Sequence, residues 1–109
     1  MRKTIAATIC CVGLFLPIAA LAQGCASFNC NTADRPDEVL ICQSPDLCAL
    51  DKRMSSQYFE MRNSLYGRRR GELERDQRAW LQSRMRCGRD RDCIEDSYRT
   101  RIRELRNDY

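Results

Sequence analysis

Six cysteines fall within the roughly 87 residues that follow a secretion-type leader, and the chain contains no histidine. A chain this short buries only a modest share of its surface and is marginal on hydrophobic burial alone. Cysteines in an oxidising compartment pair, and each bond closing a loop of ~15 residues contributes roughly 3 kcal/mol in the loop-entropy picture. The expectation is a small disulfide-stapled scaffold. The missing histidine removes the commonest general base and metal ligand.

The leader spans residues 1–22. Arg2 and Lys3 supply its charged end, Ile5 to Leu16 its apolar stretch, and Ala20-Leu21-Ala22 an A-x-A cleavage box. The apolar stretch is too short for a comfortable membrane span. Residues 23–109 then form one domain, and the expected location is periplasmic or secreted. The rival expectation is a lipoprotein anchored through Cys25, although Ala22-Gln23-Gly24 makes a poor lipobox.

Strand signals are nearly absent, and apolar residues recur at helical spacing. Asp34 is a candidate N-cap for a short helix beginning at Pro36 and ending near Gln43. Ser44-Pro45-Asp46 signals a second start, and Leu47, Leu50, Met54, Tyr58, Met61 and Leu65 form one apolar face running to Tyr66. Gly67-Arg68-Arg69-Arg70-Gly71 predicts a turn bracketed by glycines. A third helix is predicted from about Glu72 to Arg86, with Leu73, Trp80, Leu81 and Met85 as its apolar face and Gln77 on the same stripe. Gly88 stops it. A fourth starts near Asp90 or Asp92 and presents Ile94, Tyr98, Ile102, Leu105 and Tyr109. The fold class is all-α: a small antiparallel bundle of three main helices and a short first one.

Net charge is +4 for the whole chain, and the bases are nearly all arginines in the second half. Such a half could bind nucleic acid, anionic lipid or an acidic protein, and secretion argues against nucleic acid. The plainer account is helix electrostatics. Acids open the third and fourth helices and arginines close them, which complements both macrodipoles. Glu74 with Arg78 and Glu95 with Arg99 add i,i+4 pairs worth ~0.2–0.5 kcal/mol each.

Zinc does not fit the cysteine spacing. Cys42 and Cys48 are six apart, as are Cys87 and Cys93, whereas structural sites use Cys-x(2–4)-Cys pairs. No cofactor or metal is expected. Serine chemistry lacks a histidine base, and the carboxylates are accounted for by helix starts, so no enzyme is expected. Trp80, Tyr58, Tyr98 and Leu50 are expected in the core, and Tyr66 and Tyr109 at exposed helix ends. Asp51, one residue past Leu50, is expected either to cap a neighbouring helix or to pair with an arginine of a later one, Arg101 or Arg78, inside the bundle.

Ser27-Phe28-Asn29-Cys30, Glu38, Ile41-Cys42, Pro45-Asp46-Leu47, Leu50-Asp51, Tyr58, Gln77-Arg78-Ala79-Trp80-Leu81, Arg84, Cys87, Cys93, Tyr98 and Arg101-Ile102 come in an order that resembles the LprI-like lysozyme-inhibitor domain. The resemblance covers about Ser27 to Leu105. It implies a helical domain in which Cys30 pairs with Cys42 and Cys87 with Cys93. Cys25 and Cys48 are additions to that framework and are expected to pair with each other. A fully sequential set, 25–30, 42–48 and 87–93, is the alternative. The resemblance also implies a protein partner, with c-type lysozyme first, but its motif assigns no contact residue. The arginine-rich turn Arg68-Arg69-Arg70 is the candidate contact on charge alone, since it could pair with carboxylates of an acidic cleft. An envelope adaptor or a toxin-immunity protein are the alternatives.

Overall fold

The computed structural model describes Gly13 and residues 26–109. The leader (apart from Gly13), the cleavage site and Cys25 lie outside the described residues. Among the described residues there are four helices and no strands: α1 Pro36–Gln43, α2 Pro45–Ser64, α3 Gly67–Arg86 and α4 Arg91–Asn107.

Local chemistry sets each boundary. Pro36 opens α1, with Asp37 and Glu38 in its first turn, and Arg35, not Asp34, is the N-cap. Arg35 caps without a side-chain bond to the helix backbone, and instead its guanidinium holds Glu38 at 2.7 Å. Pro45 disfavours a helical conformation at the residue before it. Ser44 is accordingly extended at φ −113°, ψ 108°, and the chain breaks there between α1 and α2. Gly88 lies at φ 57° just past α3, where a left-handed residue ends a helix without a Cβ clash. Asp90 caps α4 by accepting from the Cys93 N–H at 3.1 Å.

The expected turn over Gly67–Gly71 is not a turn. Leu65 and Tyr66 are extended, and α3 begins at Gly67 itself, at φ 55°. All three arginines therefore occupy the opening of α3, whose first turn carries no acid, contrary to the expected dipole match. One compensation is Arg70, whose Nε donates to the Arg62 and Leu65 carbonyls at 3.0 and 2.9 Å. It thereby caps the negative end of α2.

Side-chain pairs give the packing directions. Arg62–Glu74 and Met54–Gln77 run α3 against α2. Trp80–Ser97 and Gln77–Arg101 run α4 against α3. Asp46–Arg91 and Asp51–Tyr98 align α2 and α4, which share the largest interface. Ile41, Leu47, Met54, Leu73, Trp80, Ile94, Tyr98, Ile102 and Leu105 fill the centre. Each such side chain contributes roughly 1.5–3 kcal/mol on burial, and Leu73→Ala would cost ~2–5 kcal/mol.

The inward face of α3 also differs from the expected one. Leu81 and Met85 are exposed, and the buried stripe is Leu73, Gln77, Trp80 and Arg84, at spacings of four, three and four. Trp80 and Tyr98 are buried, while Leu50 and Tyr58 are half-buried against the core edge. Tyr66 is 79 % exposed at the α2–α3 corner, whereas Tyr109, expected to be exposed, is half-buried.

Two disulfides staple this arrangement. Cys30–Cys42 ties the N-terminal segment to α1, and Cys87–Cys93 closes the α3–α4 connection. At sequence separations of 12 and 6, loop closure gives about 3 and about 2 kcal/mol. Cys48 is also disulfide-bonded. The expected pairing with Cys25 falls on a residue outside the described ones. The sequential alternative fails, because Cys30 and Cys42 are joined to each other.

Candidate functional site

Arg84 sits at the convergence of the helices. Its Nε donates to Asp37 Oδ2 on α1 at 3.1 Å, and its Nη1 donates to the Tyr98 hydroxyl on α4 at 3.0 Å and lies 3.6 Å from Asp51 Oδ1 on α2. Tyr98 in turn donates to Asp51 Oδ1 at 2.7 Å. The Ser27 N–H donates to the other Asp51 oxygen, drawing in the N-terminal segment. The rings of Phe28, Trp80 and Tyr98 each lie 5.6–5.7 Å from the guanidinium carbon. Arg84, Asp37, Asp51 and Tyr98 are all buried.

Asp51 thus pairs inside the bundle, but with Arg84 and not with Arg101 or Arg78. Arg78 is exposed, one residue around the helix from buried Gln77. Arg101 lies one turn further along α4, where its Nε donates to Gln77 Oε1 at 2.9 Å and its Nη1 to Glu104 at 3.1 Å.

Burial pushes the Tyr98 phenol far above its ordinary range, and the nearby Arg84 charge only partly opposes this. Tyr98 therefore serves as a hydrogen-bond donor and not as a base. Enclosed by rings and helices, this cluster works as an internal clamp. Among the described residues, no group of three or more histidine, cysteine or acidic side chains could hold a metal ion.

The clamp uses much of the pattern noted in the sequence. Ser27, Phe28, Asp51, Trp80, Arg84 and Tyr98 build it, Gln77 and Arg101 form a second buried pair, and Cys30, Cys42, Cys87 and Cys93 form the staples. The chain matches the family described as Lysozyme inhibitor LprI over residues 29–105. The chain belongs to the LprI lysozyme-inhibitor family. It is 32% identical over 82 residues to Lipoprotein LprI of Mycobacterium bovis, and equally to the protein of that name in Mycobacterium tuberculosis. The aligned stretch is 72% of this chain and 40% of those proteins, so the chain spans well under half the length of these curated relatives. No solved structure is a significant match.

Because the LprI pattern is largely consumed in the interior, contact chemistry falls to the surface. Arg68 projects into solvent, its side chain 91% exposed with Glu72 at 2.8 Å. Arg69 is exposed and donates to the Tyr109 carbonyl at 3.3 Å. Arg70 is turned back onto α2, so two of the three arginines face solvent. Beside them a groove of about 660 Å³ runs between α3 and α4, lined by Arg69, Arg75, Asp76, Arg101, Glu104 and Tyr109 among others.

Sequence reasoning missed Asp37 as a clamp residue and Arg84 as its centre. The available signal was the spacing of Arg84 from Leu73 and Trp80, which puts a cation on the buried stripe.

Proposed function

We propose that this chain is a secreted or periplasmic binding protein that inhibits c-type lysozyme by occluding its cleft. The observation that carries the reading is the family match over residues 29–105. Arg68 and Arg69 are the first contacts, with exposed Tyr66 beside them. Tyrosine and arginine are the residue types most enriched where interfaces concentrate their energy. Lysozyme is cationic overall, but its cleft is acidic, so an arginine corner complements the cleft while the remaining surface is weakly repelled. Cys25 is the proposed partner of Cys48, which leaves it no thiol for a lipid anchor.

A turbidity assay with oxidised protein and c-type lysozyme tests the function. Lysis should slow as the protein is added, and full lysis at large molar excess would sink the reading. Replacing Arg68 and Arg69 together by glutamate should weaken inhibition about tenfold, mainly through slower association.

A further inference from the structure

The Arg101 side chain is only 2% exposed. Its Nε and Nη1 are satisfied by Gln77 and Glu104, yet its Nη2 is buried with no hydrogen-bond partner. A buried charged donor without an acceptor is unusual in a folded protein and calls for an explanation. This guanidinium lines the α3–α4 groove, and the Tyr109 ring covers it at 5.9 Å from the guanidinium carbon. Tyr109 lies beyond the end of α4, held through its hydroxyl to Asp76 and its carbonyl to Arg69. A cover held by its ring contact with Arg101 and two surface bonds can be displaced without unfolding a helix.

We propose that this groove receives one side-chain carboxylate of a protein partner, bound to Arg101 Nη2 once Tyr109 swings aside. Acids and arginines alternate around the groove. Glu72 is held by Arg68 and Glu104 by Arg101, while movement of Tyr109 releases both Asp76 and the Arg69 guanidinium. Exposed Arg75 has no ion-pair partner among the described residues and adds positive charge at the rim, with Asp108 opposing it. A carboxylate can accept from a guanidinium in a short, charge-assisted bond. The proposal rests on the lysozyme reading only for the partner's identity.

Isotope-labelled, oxidised full chain is titrated with N-acetylglutamate, N-acetylglutamine and inorganic phosphate. The Arg101 side-chain nitrogens and the Tyr109 ring are followed by NMR. N-acetylglutamate should give saturable shifts at both residues with Kd of ~10 mM, the range for a single charged contact, while the other two probes give none. Arg101→Lys, which keeps the charge and loses the fork, should weaken binding about tenfold if its circular dichroism is unchanged. Equal shifts with glutamine or phosphate would overturn the proposal. So would no shift up to about 200 mM, which would leave a resident water as the occupant. Calorimetry with lysozyme separates the two readings. No binding by the wild-type chain defeats the lysozyme reading and leaves the groove to the titration. Binding that Arg75→Glu leaves unchanged defeats the groove as the lysozyme surface.

Discussion

Replacing Arg84 by methionine removes the cation of the internal clamp while keeping an unbranched side chain to fill its space. Asp37 and Asp51 are each 0% exposed. Without Arg84, Asp37 keeps only Arg35, 3.5 Å away at the exposed edge, and Asp51 keeps only the hydrogen bonds from Tyr98 and Ser27. Removing one member of a buried ion pair costs about 3–5 kcal/mol, because the remaining charge is uncompensated. Against a total stability of about 5–15 kcal/mol for a small domain, that is a large fraction. At about 4–8 °C per kcal/mol for a domain of this size, the melting temperature should drop by roughly 12–40 °C. The same reasoning makes a less obvious claim. Adding Asp37→Asn and Asp51→Asn to Arg84→Met removes both stranded charges, and the new amide at position 51 still offers an oxygen to the Ser27 N–H or the Tyr98 hydroxyl. The triple variant should therefore regain at least about half the lost stability. Urea unfolding followed by circular dichroism measures all three proteins, with a common slope as the check on two-state behaviour. A single variant that loses under about 1 kcal/mol, or a triple no more stable than the single, would refute the argument.

The two glycines at positions 71 and 88 should respond oppositely to alanine. Neither Cβ would meet a neighbour, but Gly88 sits at φ +57° and Gly71 lies within α3. Gly88→Ala should cost ~1–2 kcal/mol, and Gly71→Ala should gain ~0.5–1 kcal/mol, by thermal melts; equal effects would contradict the backbone account. Alkaline titration tests Tyr98. Its phenol is raised by burial in the folded state, so its contribution is complete below the unfolded value of about 10 and is lost as pH rises above it. Its phenolate absorbance should appear only together with loss of the helical signal, and Tyr98→Phe should lessen the alkaline fall. Ionisation of all four tyrosines with the helical signal intact would count against it.

Helix number, the first two helix starts and the α4 start were legible because Pro36, Pro45 and Asp90 act locally. The start of α3 was not. Two glycines around three arginines carry every local mark of a turn, and the outcome depends on Arg70 reaching the carbonyls at the end of α2, a tertiary event. The inward face of α3 was misjudged for a related reason. Hydrophobicity favours Leu81 and Met85, yet the stripe that Gln77 shares with Leu73 and Trp80 continues to Arg84, and the two polar residues find partners on α1, α2 and α4. A polar residue holds an interior place only through such partners. Asp37 looked like an ordinary acid at a helix start. Its burial follows from where α1 lies, which no single helix reveals. Arg101 was noticed beside Ile102, but its unmatched nitrogen depends on how Glu104, Gln77 and Tyr109 are arranged around it.

The clamp also bears on how this domain would resist digestion. The N-terminal segment, α1, α2 and α4 all touch Arg84 or its immediate partners, although α1 has only eight residues and would be a weak helix alone. Peeling any one of them away exposes a charged group that the others cannot shield. Local fraying and whole-domain unfolding therefore converge on the same free energy, and proteases are denied the partly opened forms that they usually cut first. On the proposed reading of a protein at work outside the cytoplasm, survival would then depend on the rare global opening and not on the looseness of its shortest helix.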